Sequence, residues 1–173
     1  MSNYFNIGKI VATFGLQGEV ILLHKTGTAD ALTGIKVLFI EEKKNSFLPW
    51  FIESVKVKNT EDLYLKLEGV DTREAARELI GKQVYLDEKN FAEKVNPDSV
   101  LYLLGFTVED SQAGPLGAVA EVVEMPNGLL LKIYQNDHEL LIPLNESTLQ
   151  RMDRKSRTIY VRLPDGLLDI YRS

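Results

Sequence analysis

The sequence predicts a mainly β protein: two small β-barrels joined by a short linker, with one short helix in the first. Three observations carry this expectation. Short runs rich in Val, Ile, Leu, Phe and Tyr recur through both halves of the chain. Several alternate apolar and polar side chains, as in Ser54-Val55-Lys56-Val57-Lys58 and Tyr64-Leu65-Lys66-Leu67, which is the period of a half-buried strand. One stretch stands out for its helical spacing. Many short strands in a small domain are best accommodated by a barrel, which leaves no open edge.

The first half supplies six candidate strands, at residues 7–13, 19–24, 36–40, 51–57, 63–67 and 83–86. The helix spans residues 72–80 and places Ala75, Ala76, Leu79 and Ile80 on one face, so it would plug one end of the barrel. Asp71 is its expected N-cap, with Glu74 as the capping-box partner, and Gly81 suits the left-handed position beyond its last turn. The segment Lys94-Val95-Asn96-Pro97-Asp98-Ser99 has turn chemistry and reads as a boundary. That gives a first domain at 1–93, a linker at 94–99 and a second domain at 100–173. In the second domain five strands are expected, at 105–109, 118–124, 129–134, 139–143 and 158–163. Turns at 111–115 and 126–128 separate some of them, and 146–152 reads as one short helical turn.

Composition narrows the function classes. The 173 residues are 45% apolar and 26% charged, as in a folded globular protein and unlike a disordered or fibrous chain. The longest unbroken apolar run covers only 100–104, far short of the ~20 residues a spanning helix needs. There is no cysteine, which excludes disulfides, thiolate metal sites and cysteine nucleophiles and suits a reducing compartment. The opening Met1-Ser2-Asn3-Tyr4-Phe5-Asn6-Ile7-Gly8 lacks the basic start and apolar block of a secretory signal, so a cytoplasmic protein without membrane contact is expected. Formal charge is −5, of which −1 falls on residues 1–95 and −4 on residues 96–173. An acidic second half favours a basic protein as partner.

Catalysis finds little support. His24 and His138 lie far apart, and neither has a second histidine at metal-binding spacing. No Gly-x-Ser-x-Gly occurs. Acid pairs such as Glu41-Glu42 and Glu109-Asp110 are adjacent in sequence, so within a strand they point to opposite faces. No catalytic residue, cofactor site or metal site is expected. Gly8, Gly15 and Gly18 do not have phosphate-cradle spacing; Phe14-Gly15-Leu16-Gln17-Gly18 reads instead as a tight turn between strands, with Phe14 and Leu16 as exposed contacts. A late basic cluster, Arg151, Arg154, Lys155, Arg157 and Arg162, could meet phosphates or form a solvated turn.

The stretch from Ile7 through Gly8-Lys9-Ile10-Val11-Ala12-Thr13-Phe14-Gly15-Leu16-Gln17-Gly18 to Val20 resembles the opening motif of the RimM family of ribosome maturation factors. Gly69-Val70-Asp71-Thr72-Arg73-Glu74-Ala75-Ala76, followed by Gly81, is similar to that family's helix motif. Leu104-Gly105-Phe106-Thr107-Val108, Leu116-Gly117, Glu139-Leu140-Leu141-Ile142-Pro143 and Leu163-Pro164-Asp165-Gly166-Leu167-Leu168-Asp169 resemble its PRC-barrel domain. The pieces fall in family order along nearly the whole chain.

The resemblance implies a non-enzymatic factor that binds the immature small ribosomal subunit through a ribosomal protein of its head and assists maturation of nearby small-subunit ribosomal RNA. Phe14, Gly15, Leu16 and Gly18 would form the ribosome-binding turn of the first barrel. In the family, paired aromatic residues sit just before the second barrel, on the surface that meets the ribosomal protein. Here those positions hold Asp98, Ser99 and Val100, with Tyr102 and Phe106 as the aromatic substitutes nearby. A monomer is expected. The competing readings are a PRC-barrel adaptor with a non-ribosomal partner and a ribonuclease, the latter lacking any catalytic constellation.

Overall fold

A computed structural model describes residues 4–172. The chain forms two compact units, Met1–Tyr102 and Leu103–Ser173. The first is built from β1 (Tyr4–Phe14), β2 (Glu19–His24), β3 (Val37–Lys43), β4 (Ser46–Val57), β5 (Asp62–Leu67) and β6 (Gln83–Asp87), closed in the order β1-β2-β5-β4-β3-β6. The alternation anticipated at 64–67 is realised in β5, where every second residue is buried, whereas that at 54–58 is not, because Val57 in β4 is 49% exposed. Ile10, Leu22, Leu38, Leu63, Leu65 and Val84 meet inside the ring.

Strand β4 begins at Ser46 rather than at residue 51 and so takes in Pro49, a residue that disfavours strand interiors. Its first half pairs with β3, through Phe39 and Pro49 among others, whereas pairing with β5 begins only at Ile52. Pro49 therefore sits where the second edge of β4 carries no ladder, and its missing N–H costs no strand hydrogen bond.

The helix expected at 72–80 is the shorter α1 (Arg73–Arg77), packed on β1 and β2. Its cap is Thr72, whose hydroxyl accepts the Ala75 N–H at 3.1 Å, rather than Asp71. Asp71 is held elsewhere, in an ion pair 2.9 Å from Lys66 Nζ. A second helix in this unit, α2 (Glu88–Lys94), goes beyond the sequence expectation; Phe91 is its one large buried residue, so its sequence shows no apolar periodicity. Asp87 caps it by accepting the Asn90 N–H, and Phe91 packs against Phe5 with ring centroids 4.7 Å apart.

Residues 94–99, expected as a linker, are fastened to the first unit. Val95 is buried, the Asn96 N–H donates to the Thr26 carbonyl, and the Ser99 hydroxyl donates to the Lys25 carbonyl at 2.6 Å. A 3-10 turn, Val100–Leu103, follows.

The second unit holds β7 (Thr107–Asp110), β8 (Gly114–Met125), β9 (Gly128–Gln135), β10 (His138–Leu144), β11 (Leu149–Asp153), β12 (Thr158–Val161) and α3 (Leu167–Arg172). The six strands form one sheet in the order β10-β9-β8-β7-β12-β11. All neighbours are antiparallel except β12 and β7, which pair in parallel. The helical turn expected at 146–152 is a correction: Thr148 and Asn145 close a tight turn, and β11 pairs with β12 from Leu149 onward. Phe106, Val108, Leu131, Ile133, Ile142 and Ile159 are fully buried beneath this sheet.

Candidate functional site

The turn between β1 and β2 is shaped by its glycines. Gly15 and Gly18 have φ of 70° and 95°, left-handed conformations that side chains rarely adopt. Gly18 also lies against the backbone of Val70, where an added Cβ would overlap the Val70 carbonyl oxygen. The turn is thereby braced on the segment that leads into α1. Phe14 pairs with Glu19 at its base. Leu16 is 74% exposed at its tip and Phe14 is 47% exposed.

The Phe14 ring does not stand alone. It rests on Tyr64 of β5, with centroids 4.4 Å apart, and Lys58 Nζ lies 5.9 Å from the Tyr64 centroid. The result is an outward patch of Leu16, Phe14 and Tyr64 with a cation at its margin. The sequence expectation names Phe14, Gly15, Leu16 and Gly18 for this turn; the structure brings Tyr64 and Lys58, which that expectation does not name, beside them. The available signal is the alternation of β5, which sends Tyr64 outward between Leu63 and Leu65 of the core.

The second predicted group divides between the two units. Asp98 is exposed, and its N–H donates to the Asn96 side-chain oxygen at 2.9 Å. The Ser99 hydroxyl is spent on the Lys25 carbonyl and also accepts the Leu101 N–H at 3.2 Å, so it works as a strut. Val100 opens the 3-10 turn, and the Tyr102 N–H donates to the Ser99 carbonyl. These four residues belong to the first unit. Phe106 belongs to the second and is fully buried, so it cannot serve as an exposed contact. Gly105, at φ 83°, turns the chain so that Phe106 and Val108 both face the core, and the Arg157 guanidinium covers the ring at 5.3 Å.

His24, at the end of β2 just before the Lys25 and Thr26 carbonyls that hold Ser99 and Asn96, is only 1% exposed. Its Nδ1 is 2.9 Å from the Thr26 hydroxyl, while Nε2 is buried without a hydrogen-bond partner among the described residues. Burial lowers its pKa, against the opposing pull of Asp62 and Glu61.

The second unit offers a different surface. On β8 and β9, Val123, Met125 and Tyr134 are exposed apolar side chains. Beside them Lys132 sits 3.1 Å from Glu121 and 3.9 Å from Glu139. The hydrogen bond and charge of Glu121 raise the Lys132 pKa, with a smaller contribution from Glu139. Apolar anchors set among carboxylates suit a basic protein surface.

Residues 5–91 match the family model of the RimM N-terminal domain, and residues 101–167 match that of the RimM PRC barrel domain. The chain belongs to the RimM family. Ribosome maturation factor RimM of Christiangramia forsetii is 30% identical, over 96% of this chain and 95% of that protein. RimM of Phocaeicola vulgatus is 32% identical, over 95% and 96% respectively. The solution structure of the N-terminal domain of RimM from Thermus thermophilus is 21% identical at a TM-score of 0.41, covering 55% of this chain and 96% of that one. The first RimM match takes in the closed barrel from the second residue of β1 onward and α2 as far as Phe91; the second begins in the 3-10 turn and takes in every strand of the second sheet. Among the described residues no helix is long and apolar enough to cross a membrane.

Proposed function

We propose that this RimM-family chain is a non-enzymatic assembly factor of the small ribosomal subunit, working in the cytoplasm as a monomer. It binds the immature particle through a basic ribosomal protein of the head and assists processing and maturation of the small-subunit ribosomal RNA nearby. The observation that carries the reading is the pair of RimM family matches, one after the other along the chain. The geometry supports it at two places. The Leu16–Phe14–Tyr64 patch gives the first barrel an exposed contact beside Lys58. The acidic, partly apolar face of β8 and β9 gives the second unit a surface suited to a basic protein.

The work is differential binding. A factor that binds the immature arrangement more tightly than the mature one shifts the population of the particle and leaves once mature contacts form. The 96–102 segment, with exposed Asp98 beside Val100 and Tyr102, lies at the edge of the first unit and supplies the remaining contact to the ribosomal protein.

The test is gradient co-sedimentation of the full chain with mature small subunits and with particles stalled before completion. Preferential migration with the immature particles is expected. Substitution of Leu16 and Phe14 by Ser should reduce that migration while leaving the circular dichroism spectrum of the chain unchanged. Equal binding to both particles would overturn the differential-binding mechanism; binding to neither by folded protein would overturn the proposal and favour a PRC-barrel adaptor with a non-ribosomal partner.

A further inference from the structure

The second unit is electrically divided. Residues 149–162 carry five cations and a single acid, whereas the other residues of 103–173 carry two cations and nine acids. The fold gathers the cationic part into one hairpin, β11 and β12, with β11 at an end of the sheet. We infer that this hairpin is a phosphate-backbone contact for RNA, separate from the acidic face of β8 and β9 on the same unit. The inference rests on the ribosomal reading only for the choice of RNA over other polyanions.

Strand alternation decides which cations are presented. Ile159 and Val161 are buried, so Tyr160 faces outward. Arg151 is the register partner of Tyr160, and its guanidinium lies 4.3 Å over the Tyr160 ring. Stacking on the ring limits the rotamers Arg151 must give up on binding and leaves the edge of the guanidinium, with its fork of donors, available to a phosphate. Arg162 follows two residues after Tyr160 and is exposed, while Arg154 and Lys155 are exposed at the tip.

The other charges on the hairpin are used locally. Arg157 has φ 53°, donates from its guanidinium to the Leu104 carbonyl at 2.8 Å and covers Phe106, so it is a structural cation. The Asp153 carboxylate accepts the N–H groups of Lys155 at 3.0 Å and Ser156 at 3.2 Å. It therefore shapes the turn that carries Arg154 and Lys155. Glu109 of β7, the register partner of Tyr160 on the other side, marks where the cationic surface ends.

The test uses the full chain and a short fluorescein-labelled RNA, with affinity measured by anisotropy over a series of KCl concentrations. Two variants are compared: one with Gln, the other with Lys, at positions 151, 154 and 162, with Lys155→Gln added to the Gln set only. The Gln set should bind more weakly, with a log K against log salt slope reduced by roughly 0.7 for each phosphate it no longer neutralises. The Lys set should keep most of the slope, because it keeps the charges. Unchanged affinity and slope in the Gln set would overturn the inference, as would absence of RNA binding by the wild-type chain. Wild-type binding to phosphatidylserine vesicles in place of RNA would also overturn it. Failure of particle co-sedimentation with RNA binding intact would sink the ribosomal reading and leave this contact standing.

Discussion

Two buried polar side chains show how single residues set the stability of each unit. Asp110 accepts the Leu163 N–H through Oδ1 at 2.9 Å and the N–H groups of Gln112 and Ala113 through Oδ2. It thus ties the turn after β7 to the end of β12. Asp110→Ala leaves a buried Leu163 donor unmatched, which should cost about 1–3 kcal/mol. Amide hydrogen exchange at Leu163 and Gln112 should accelerate accordingly; unchanged protection would show that the carboxylate is not their anchor. His24 makes a pH-dependent contribution in the first unit. The unfolded histidine takes up a proton near 6.5, while burial holds the folded one below that value. Proton uptake therefore favours unfolding, and stability is lost as pH falls below 6.5. Trp50, the single tryptophan, lies in β4 of the same unit and reports on it. Its urea midpoint should fall between about pH 7.5 and about pH 5, and His24→Gln should flatten that fall. An equally steep fall in the variant would assign the pH dependence to other groups.

At the scale of elements, the β1–β2 turn separates two uses of glycine. Gly15 has open space where a Cβ would point, whereas Gly18 faces the Val70 carbonyl. Gly15→Ala should cost about 1 kcal/mol from its backbone conformation alone. Gly18→Ala adds a backbone overlap, so its Trp50 urea midpoint should drop further; equal effects would mean that Val70 moves aside easily. The cap of α1 gives a parallel case. Thr72→Ala should destabilise the first unit by about 1 kcal/mol, while Asp71→Ala should act only through the exposed pair with Lys66. These elements also show what sequence can and cannot reveal. The run of β5 is legible because its alternation is strict, and that of β2 because Val20-Ile21-Leu22-Leu23 is a short apolar run bounded by polar residues. Helix α2 is not, because a seven-residue helix with one large buried side chain has no period to detect. Strand β11 is not, because Leu149-Gln150-Arg151-Met152-Asp153 takes its strand conformation from pairing with β12 rather than from its own composition.

Across the whole molecule, family motifs locate both units, but the exposure of individual side chains depends on tertiary structure. Leu16 is legible as exposed because a glycine-rich turn leaves it little to pack against, and Phe14 beside it is half-exposed although its ring rests on Tyr64. Phe106 is not legible as buried, because its direction depends on the left-handed Gly105 and on Arg157, fifty-one residues later in the chain. Tyr64 joins the candidate patch through a strand pairing that no local motif records. The parallel pairing of β12 with β7 has a consequence during synthesis. Because β7 is made first, one of its edges must wait while residues 111–157 emerge. A nascent strand with an open edge invites mispairing with other chains. Here that edge is short, only Thr107–Asp110, and ends in two carboxylates, which repel the same acidic strand of a second nascent copy until the last strand arrives.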